Sequence, residues 1–470
     1  MEAKDCGGHM TRIEHDSLGE MAVPDDALWG AQTQRAVENF DLSGRRFPLA
    51  VIRHLARIKI AAARVNGAAG TIAGLTPEVA DGIEAAANEI IDGRHDDQFP
   101  IDTFQTGSAT SSNMNVNEVI SRIVADRTGL VAHPNDHVNA AQSSNDTVPT
   151  AIHLAVIDAG AALAAAVTTL TGALSAAGQR FATVVKPGRT HLMDAAPVFL
   201  GWEFDGWSTQ VAASAEAVAR ASAGLVDVPL GGSAVGTGLN VPDGWAAAVR
   251  AELVELTGVT LIEPRHRFAS QAGRDALVEV SGAHRRLAVT LHKLCNDLRL
   301  LGSGPFGGLG ELQLPAVQPG SSIMPGKVNP VIPEAVIQGC LRVFGNDVTV
   351  GLAAATGQLE ITATMPVMVD ALLESSGLLQ RGMSGLADKC IDGIEVDEVR
   401  CAALAGRSPA IVTGIAPVIG YEVAARVAHA MAVDATITVE AALAKEGIEP
   451  ARIAELAAHL DPASLAGGGH

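Results

Sequence analysis

The sequence predicts an all-α fold, in which a central bundle of about five long helices is flanked by two smaller, mainly helical domains. Three observations support this prediction. Proline, which is rarely found inside a helix, is missing from five long stretches. Those stretches are rich in alanine, which has the highest helix propensity. Aromatic residues make up only 3% of the chain, so small and aliphatic side chains must fill the core, and this suits closely packed helices.

The predicted elements follow one another in three domains. Residues 1–141 mix short helical stretches with loops rich in Gly, Pro, Ser and Asn, and form an N-terminal, mainly helical domain. Residues 142–398 form the bundle domain. Residues 399–470 form a small C-terminal helical domain, with a turn near Ser408 and an apolar periodic stretch near residues 421–432. The proline-free runs that predict the long helices are 150–186, 198–228, 265–304, 334–365 and 367–408.

Charge and composition exclude several classes of partner. The chain has 33 basic and 52 acidic residues and a net charge of −19, which argues against nucleic acid and against an anionic membrane surface. Residues 159–178 carry no charge and are long enough to span a bilayer. They consist mainly of small residues and are flanked by Asp158 and Arg180, so we expect a buried bundle helix and no membrane partner.

The cysteines and the N-terminus bear on the compartment. The five cysteines are scattered and show no Cys-x-x-Cys spacing, which fits a reducing compartment and predicts no metal site. The N-terminal residues contain no apolar stretch typical of a secretory signal, so we expect a cytoplasmic protein. Helices this apolar cannot all be covered by the flanking domains of one chain. We therefore expect a symmetric homo-oligomer, with a monomer built around a thick internal bundle as the alternative.

Four polar clusters lie at loops next to predicted helices. Their Ser, Thr and Asn side chains, with the free N–H groups of helix starts, could bind a carboxylate or a phosphate. Ordinary helix capping is the alternative for any one cluster. Four clusters, of which one carries a His and one a Lys, favour a shared site. Their spacing does not fit a phosphate-binding nucleotide loop, so we predict no cofactor. The clusters are residues 106–113, 142–146, 188–191 and 320–330.

The fourth cluster is part of a recognisable motif. Gly320-Ser-Ser-Ile-Met-Pro-Gly-Lys-Val-Asn-Pro330 resembles the signature of the fumarase/aspartase superfamily, whose members release fumarate by β-elimination from succinyl-type compounds. Residues 27–40, 133–136, 143–146 and 188–194 resemble further family motifs in the same order, so the resemblance covers nearly the whole chain. Within the superfamily the sequence looks most like the iron-independent class II fumarases.

This resemblance implies a fold, an assembly and an activity. The expected assembly is a homotetramer whose core is made from the central bundles of four chains, with active sites each built from three chains. The expected activity is the reversible hydration of fumarate to L-malate, with no metal and no other cofactor. The expected partners are therefore these small dicarboxylates and further copies of the same chain.

The resemblance also implies roles for individual residues. Ser321 would be the base that removes the carbon-bound proton of malate, and a mobile loop would close to help it. His191 would deliver a proton to the departing hydroxyl, and Glu334 would pair with that histidine. The residues implied in substrate binding are Ser108, Ala109, Thr110, Ser143, Ser144, Asn145, Thr190, Ser322, Lys327, Val328 and Asn329. Those implied in a secondary dicarboxylate site are His133, Pro134, Asn135 and Asp136, although helix capping is an alternative for Asp136.

Some positions depart from the family pattern. Ala109 stands where the family usually has glycine, which raises the question of how closely the backbone approaches a substrate. Leu130 stands where some fumarases carry a basic residue before the second-site motif, and Trp202 stands where glutamine is common. These differences leave the catalytic groups in place and affect the expected substrate more than the expected chemistry.

Two alternative functions stay open. Aspartases, which eliminate ammonia, carry Gln where this chain has His191 and usually Ala where it has Gly326; both positions favour a fumarase. Residues 357–360 look more like an aspartase, so that activity is the main rival. The superfamily also includes lens crystallins, so a non-catalytic structural protein is the other alternative. The presence of all the implied catalytic groups argues against it.

Overall fold

Helices dominate the structure, as the sequence predicts. The computed structural model describes residues 3–4 and 10–467; Cys6 lies outside this part. Within the described residues, the helices are α1 (Ala31–Asn39), α2 (Leu49–Ala69), α3 (Pro77–Ile91), α4 (Thr110–Thr128), α5 (Ser144–Arg180), α6 (Leu200–Ser222), α7 (Trp245–Thr257), α8 (Arg267–Ala272), α9 (Asp275–Leu301), α10 (Val331–Ala355), α11 (Met365–Leu386), α12 (Glu398–Arg407), α13 (Ala416–Ile419), α14 (Tyr421–Val433), α15 (Val439–Lys445), α16 (Pro450–Leu456) and α17 (Pro462–Gly467).

Each of the five proline-free runs holds all or most of one long helix, namely α5, α6, α9, α10 and α11, of 22 to 37 residues. The helices α10 and α11 begin just before their runs and include Pro333 and Pro366 in their first turns, where a proline costs no hydrogen bond. The longest, α5, begins before its proline-free run and includes Pro149 in its second turn. A proline there removes only the hydrogen bond to the carbonyl of Asn145, four residues earlier. The last run is not one helix, because α11 ends at Leu386 and a second helix begins only at Glu398.

Short strands also form, mostly in places where the sequence did not indicate them. The segment 185–199, which includes the third polar cluster, was expected to be a loop and is a β-hairpin. Its strands alternate poorly in sequence because two prolines and a bulge between Pro187 and Arg189 interrupt the pattern. The strands are β1 (Ala3–Lys4), β2 (Met10–Asp16), β3 (Gly19–Pro24), β4 (Val185–Thr190), β5 (Met193–Phe199), β6 (Leu312–Gln313) and β7 (Glu395–Val396).

The chain divides into two compact units, each made from separate stretches of sequence. The first unit combines the chain up to Leu163 with Glu216–Arg286 and Arg342–Gly377. In it, α2 packs against α3 and α4 through fully buried aliphatic residues such as Leu55 and Ile58. The two boundaries between the three predicted domains stay a prediction.

The second unit combines Ala164–Ala215, Leu287–Leu341 and the chain from Leu378 onward. Its C-terminal part has a small apolar core of its own, which includes Val427 of α14, Leu443 of α15 and Leu456 of α16. The predicted apolar stretch near residues 421–432 therefore forms α14 and faces this core.

The helix α5 corresponds to the uncharged stretch of the sequence. Among the described residues it is the one helix long and apolar enough to cross a membrane by length and composition. Of its most apolar window, 56% is buried inside the chain. Core helices of soluble proteins have the same composition, and burial of this kind is what a bundle helix requires.

Candidate active site

In the first unit the structure joins two of the predicted polar clusters through their hydroxyl groups. The Thr110 Oγ1 atom lies 2.8 Å from Ser108 Oγ and 2.7 Å from Ser144 Oγ. Thr110 and Ser144 are the first residues of α4 and α5, so two helix N-termini meet at this chain of hydroxyls. The first and second clusters therefore lie partly inside helices, and not before them as expected. Hydroxyls and free N–H groups at helix starts are suited to binding a carboxylate.

The turn before α4 brings its backbone into close contact with another segment. A Cβ on Gly107 would lie 1.9 Å from the carbonyl oxygen of Ala363, so only glycine fits there. Ala109, two residues later, is fully buried and has a φ of 53°. This left-handed conformation costs a non-glycine residue about 1–2 kcal/mol, which explains why glycine is usual at this position in the resembling family.

The turn before α5 is held by its own side chains. Ser143 Oγ accepts a hydrogen bond from the backbone N–H of Asn145 at 3.2 Å, and the Ser143 N–H donates to Asp146 Oδ1 at 3.0 Å. The Asn145 amide donates to the carbonyl of Ala234 at 2.8 Å. The side chains of Ser143 and Asp146 thus hold the turn itself, whereas Ser144 Oγ bonds to Thr110 of α4.

In the second unit, His191 lies at the tip of the hairpin formed by β4 and β5. Thr190 pairs with Met193, so His191 and Leu192 are the two central residues of the turn. Both have positive φ values, 57° and 63°, which Asn and Gly normally adopt in such turns. Strained backbone of this kind is concentrated at functional sites. His191 and Thr190 are exposed at this turn.

A buried ion-pair network lies below this turn. Arg189 donates two hydrogen bonds to Glu311, at 2.6 and 3.0 Å, and the Glu311 carboxylate is fully buried. Lys186, whose side chain is 1% exposed, donates to Glu203 at 2.9 Å and lies 3.5 Å from Glu311. Burial alone would lower the pKa of Arg189, but the attraction of Glu311 and two further carboxylates raises it overall. The network fixes the base of the hairpin that carries His191.

The loop of the signature motif is closed by its own hydrogen bonds. The Gly320 N–H donates to the Lys327 carbonyl at 2.8 Å, and the Asn329 side-chain amide donates to the Gly320 carbonyl at 2.7 Å. Ser321 Oγ accepts hydrogen bonds from the backbone N–H groups of Ile323 and Met324, at 3.2 and 3.0 Å. Two N–H donors aimed at one hydroxyl oxygen favour its negatively charged form. Ser322, Lys327 and Val328 are exposed on the same loop.

Lys327, Asn329 and Glu334 line one groove of about 870 Å³ in the second unit. Glu334 lies in the first turn of α10, and its carboxylate is 4.0 Å from the guanidinium of Arg299. Within the described residues, no hydrogen bond or ion pair joins Glu334 to His191, so their pairing stays a prediction. A site shared between chains would allow the pair to form across an interface.

The predicted second-site motif forms a tight turn on the first unit. His133 Nδ1 accepts a hydrogen bond from the Asp136 N–H at 3.1 Å and lies 3.2 Å from the Asp136 carboxylate. His133, Pro134 and Asn135 line an open groove of about 550 Å³ together with Arg12 and Arg122. Both arginines are already paired, Arg12 with Glu14 at 2.7 Å and Arg122 with Asp126 at 3.0 Å, so they do not replace the basic residue that is absent at Leu130. In the part of the chain described here, no group of three or more His, Cys, Asp or Glu side chains could hold a metal ion.

Sequence reasoning missed three charged residues near these elements. Glu311 anchors the hairpin and Lys59 contacts the turn before α5, while Asp146 was noticed only as part of a motif. A lysine between Ile58 and Ile60 in an apolar helix was the available signal for Lys59. The sequence contains no comparable signal for Glu311, because this residue precedes a two-residue strand far from the hairpin in sequence.

The chain is similar to known proteins over most of its length. Residues 19–345 match a family described as lyase. A protein named fumarate hydratase class II from Mycobacterium tuberculosis is 52% identical over 428 residues, covering 91% of this chain and 90% of that protein. Fumarate hydratase class II 1 from Pseudomonas aeruginosa is 48% identical, covering 92% and 94%. The crystal structure of a class II fumarase from Schistosoma mansoni matches with a TM-score of 0.93 and 34% identity, over 98% of this chain and 100% of that one.

Proposed function

The chain belongs to the class II fumarate hydratase family of lyases, and on that basis we propose that it catalyses the reversible hydration of fumarate to L-malate. The observation that carries the proposal for this chain is the environment of Ser321. Its hydroxyl oxygen accepts hydrogen bonds from two backbone N–H groups, in a loop on which Lys327 is exposed. Such donors favour the alkoxide of Ser321, which is the form that can accept a proton from malate.

The proposed reaction begins with proton removal. In the dehydration direction, Ser321 takes the proton from the carbon next to one carboxylate of malate. The electron pair left behind moves onto that carboxylate, which then carries a second negative charge. This aci-carboxylate needs positive charge and hydrogen-bond donors around it. Lys327, the hydroxyls of Ser108, Thr110 and Ser144, and the free N–H groups at the start of α5 are suited to supply them.

The second step expels the hydroxyl group. The electron pair returns to form the carbon–carbon double bond of fumarate, and the C–O bond breaks. His191 gives a proton to the departing hydroxide, so that water leaves. Histidine suits this role because its imidazole exchanges protons near neutral pH. The proposed pairing with Glu334 would orient the imidazole and favour its charged form.

We further propose that each site is completed by several copies of the chain in a homotetramer. The support is the exposure of His191, Thr190 and Lys327, which lie on separate turns of one chain and are not joined there by hydrogen bonds in the described residues. We place the enzyme in the cytoplasm, on the reducing environment that its buried free cysteines fit. The groove at His133 and Arg122 would take a second dicarboxylate.

The experiment that tests the activity follows the ultraviolet absorbance of fumarate mixed with the purified protein, with and without ammonia. Loss of absorbance without ammonia supports hydration, whereas loss only with ammonia supports the aspartase alternative. Ser321→Ala should lower the rate at least about a hundredfold, because the base is removed. Ser464→Ala, which removes an exposed hydroxyl bonded to Asp461, is the matched control and should be unaffected. A Ser321→Ala protein with a near-normal rate would remove Ser321 from the role of base.

A further inference from the structure

Lys59 lies on α2 in the first unit, and its side chain is completely buried. Lysine is almost never fully buried unless its ammonium group is paired, because taking a charge out of water is costly. Ile58 and Ile60, its neighbours in sequence, are also completely buried. The position therefore requires a specific partner for the lysine, and the partners it has indicate what the residue does.

The ammonium group binds the segment that leads into the turn before α5. Lys59 Nζ donates to Asn139 Oδ1 and to Gln142 Oε1, both at 2.9 Å. Asn139 in turn donates to the backbone carbonyl of Gln142 and accepts a hydrogen bond from Asn113 of α4. Gln142 immediately precedes Ser143. The lysine thus holds two side chains directly behind the proposed substrate-binding residues 143–145, without facing the substrate itself.

Asp146 holds the same turn from its other end. Its carboxylate is completely buried and accepts hydrogen bonds from the N–H groups of Ser143, Gly231 and Ser233, at 2.9 to 3.0 Å. These contacts attach the start of α5 to the glycine-rich segment near residue 231. The buried carboxylate explains why two backbone N–H groups of that segment point inward.

The two buried charges depend on each other. Burial raises the pKa of Asp146 to about 6, although its three N–H donors and the charge of Lys59 act in the opposite direction. Burial lowers the pKa of Lys59 to about 7, and the charge of Asp146 opposes this. The other partners of the two groups, Asn139, Gln142 and backbone N–H groups, are neutral. Removing the lysine should therefore raise the pKa of Asp146 further.

We propose that Lys59 is a positioning residue for fumarate hydration, which fixes Ser143, Ser144 and Asn145 by binding Asn139 and Gln142 and by balancing the charge of Asp146. This proposal rests on the proposed function, because residues 143–145 bind the substrate only if the protein hydrates fumarate. Small displacements of such groups lower rates strongly even where no contact with the substrate is lost.

The test compares Lys59→Met with Arg53→Met, a control on the same helix whose guanidinium pairs with the partly exposed Asp96. Fumarate turnover gives kcat and KM, and titration calorimetry with succinate, which cannot be hydrated, gives dicarboxylate binding. We expect Lys59→Met to lower kcat/KM and weaken succinate binding about tenfold or more, and the control to stay within about twofold of the original protein. Circular dichroism and the unfolding midpoint check the fold.

The pH profile separates positioning from simple packing. In Lys59→Met, the acidic limb of the kcat/KM profile should move to higher pH, because Asp146 has lost the cation that favours its charged form. The variant Lys59→Met/Asp146→Asn removes both buried charges and so avoids the unbalanced carboxylate of the single variant, and its amide oxygen can still accept the N–H groups of Gly231 and Ser233. The acidic limb of its kcat/KM profile should not be shifted. Its kcat/KM should stay low, since Lys59 no longer binds Asn139 and Gln142.

The two proposals fail in different ways. If the original protein hydrates fumarate and the Lys59 variants match it in turnover, succinate binding and pH profile, the positioning role is wrong and the proposed function stands. If the folded original protein neither hydrates fumarate nor binds succinate, the proposed function is wrong and this inference with it.

Discussion

Glu311 offers the sharpest test of how the hairpin that carries His191 is held. Glu311→Gln keeps the shape of the side chain and removes its charge. In the structure this carboxylate is fully buried, accepts two hydrogen bonds from Arg189 and lies 3.5 Å from Lys186. The side chains of these cations are only 13% and 1% exposed, so water cannot replace the lost carboxylate.

The expected loss of stability in Glu311→Gln depends on which partners the two cations keep. Removing one partner of a buried ion pair costs about 3–5 kcal/mol, because an uncompensated charge stays buried. Lys186 keeps Glu203 at 2.9 Å, so only Arg189 loses its main partner. We therefore expect the free energy of unfolding to fall by about 3 kcal/mol, near the lower end of that range. Arg189→Met in the same chain should restore part of the loss, since it removes the cation that has lost its main partner.

Urea denaturation at one protein concentration measures this change, because an oligomer's stability depends on concentration. Glu216→Gln is the matched control, since Glu216 and its partner Arg220 lie 3.6 Å apart with both side chains mostly exposed. That pair should contribute no more than about 0.5 kcal/mol. If Glu311→Gln costs no more than this control, the buried network does not stabilise the hairpin and the reasoning is wrong.

Two further predictions concern protons. His191→Asn should lower fumarate turnover about a hundredfold or more and change its pH dependence, because it removes the proposed proton donor; an unchanged pH profile would remove His191 from that role. Burial lowers the pKa of His284 to about 4, so the folded protein keeps this residue neutral while the unfolded chain takes up a proton below about pH 6.5. Stability from this group is therefore lost as the pH falls from about 6.5 towards 4, by up to about 3 kcal/mol. His284→Gln should reduce the loss of unfolding free energy between pH 7 and pH 5, and an identical loss in both proteins would contradict the assignment.

The long helices could be predicted because proline acts locally. A missing N–H group and a ring clash interrupt a helix beyond its first turn, so the spacing of prolines marks where helices fit. Pro149 lies in the second turn of α5, where only one hydrogen bond is lost, whereas Pro333 and Pro366 lie in the first turns of their helices. The hairpin at 185–199 escaped prediction because Pro187, Pro197 and a bulge hide its alternation. Its Arg189 pairs with Glu311, a residue more than a hundred positions away.

The candidate site, like the fold, could be predicted only in part from local sequence patterns. Hydroxyl-rich turns before helices can be identified locally, because Ser, Thr and Asn favour both caps and ligand contacts. That Thr110 and Ser144 would lie 2.7 Å apart depends on how two helices pack, which no local pattern contains. The role of Lys59 depends likewise on burial by elements distant in sequence. The roles of Ser321, His191 and Glu334 come from resemblance to a family, and they stay predictions.

We propose that one active site takes Ser321 from one copy of the chain and His191 from another. Its most direct test coexpresses Ser321→Ala with His191→Asn, each inactive when made alone, and measures fumarate hydration by the mixed assemblies. Random mixing in a symmetric tetramer should leave about one quarter of the sites with both groups intact, and so restore about one quarter of the original activity. Mixed assemblies that contain both variants and still fail to hydrate fumarate would contradict the claim.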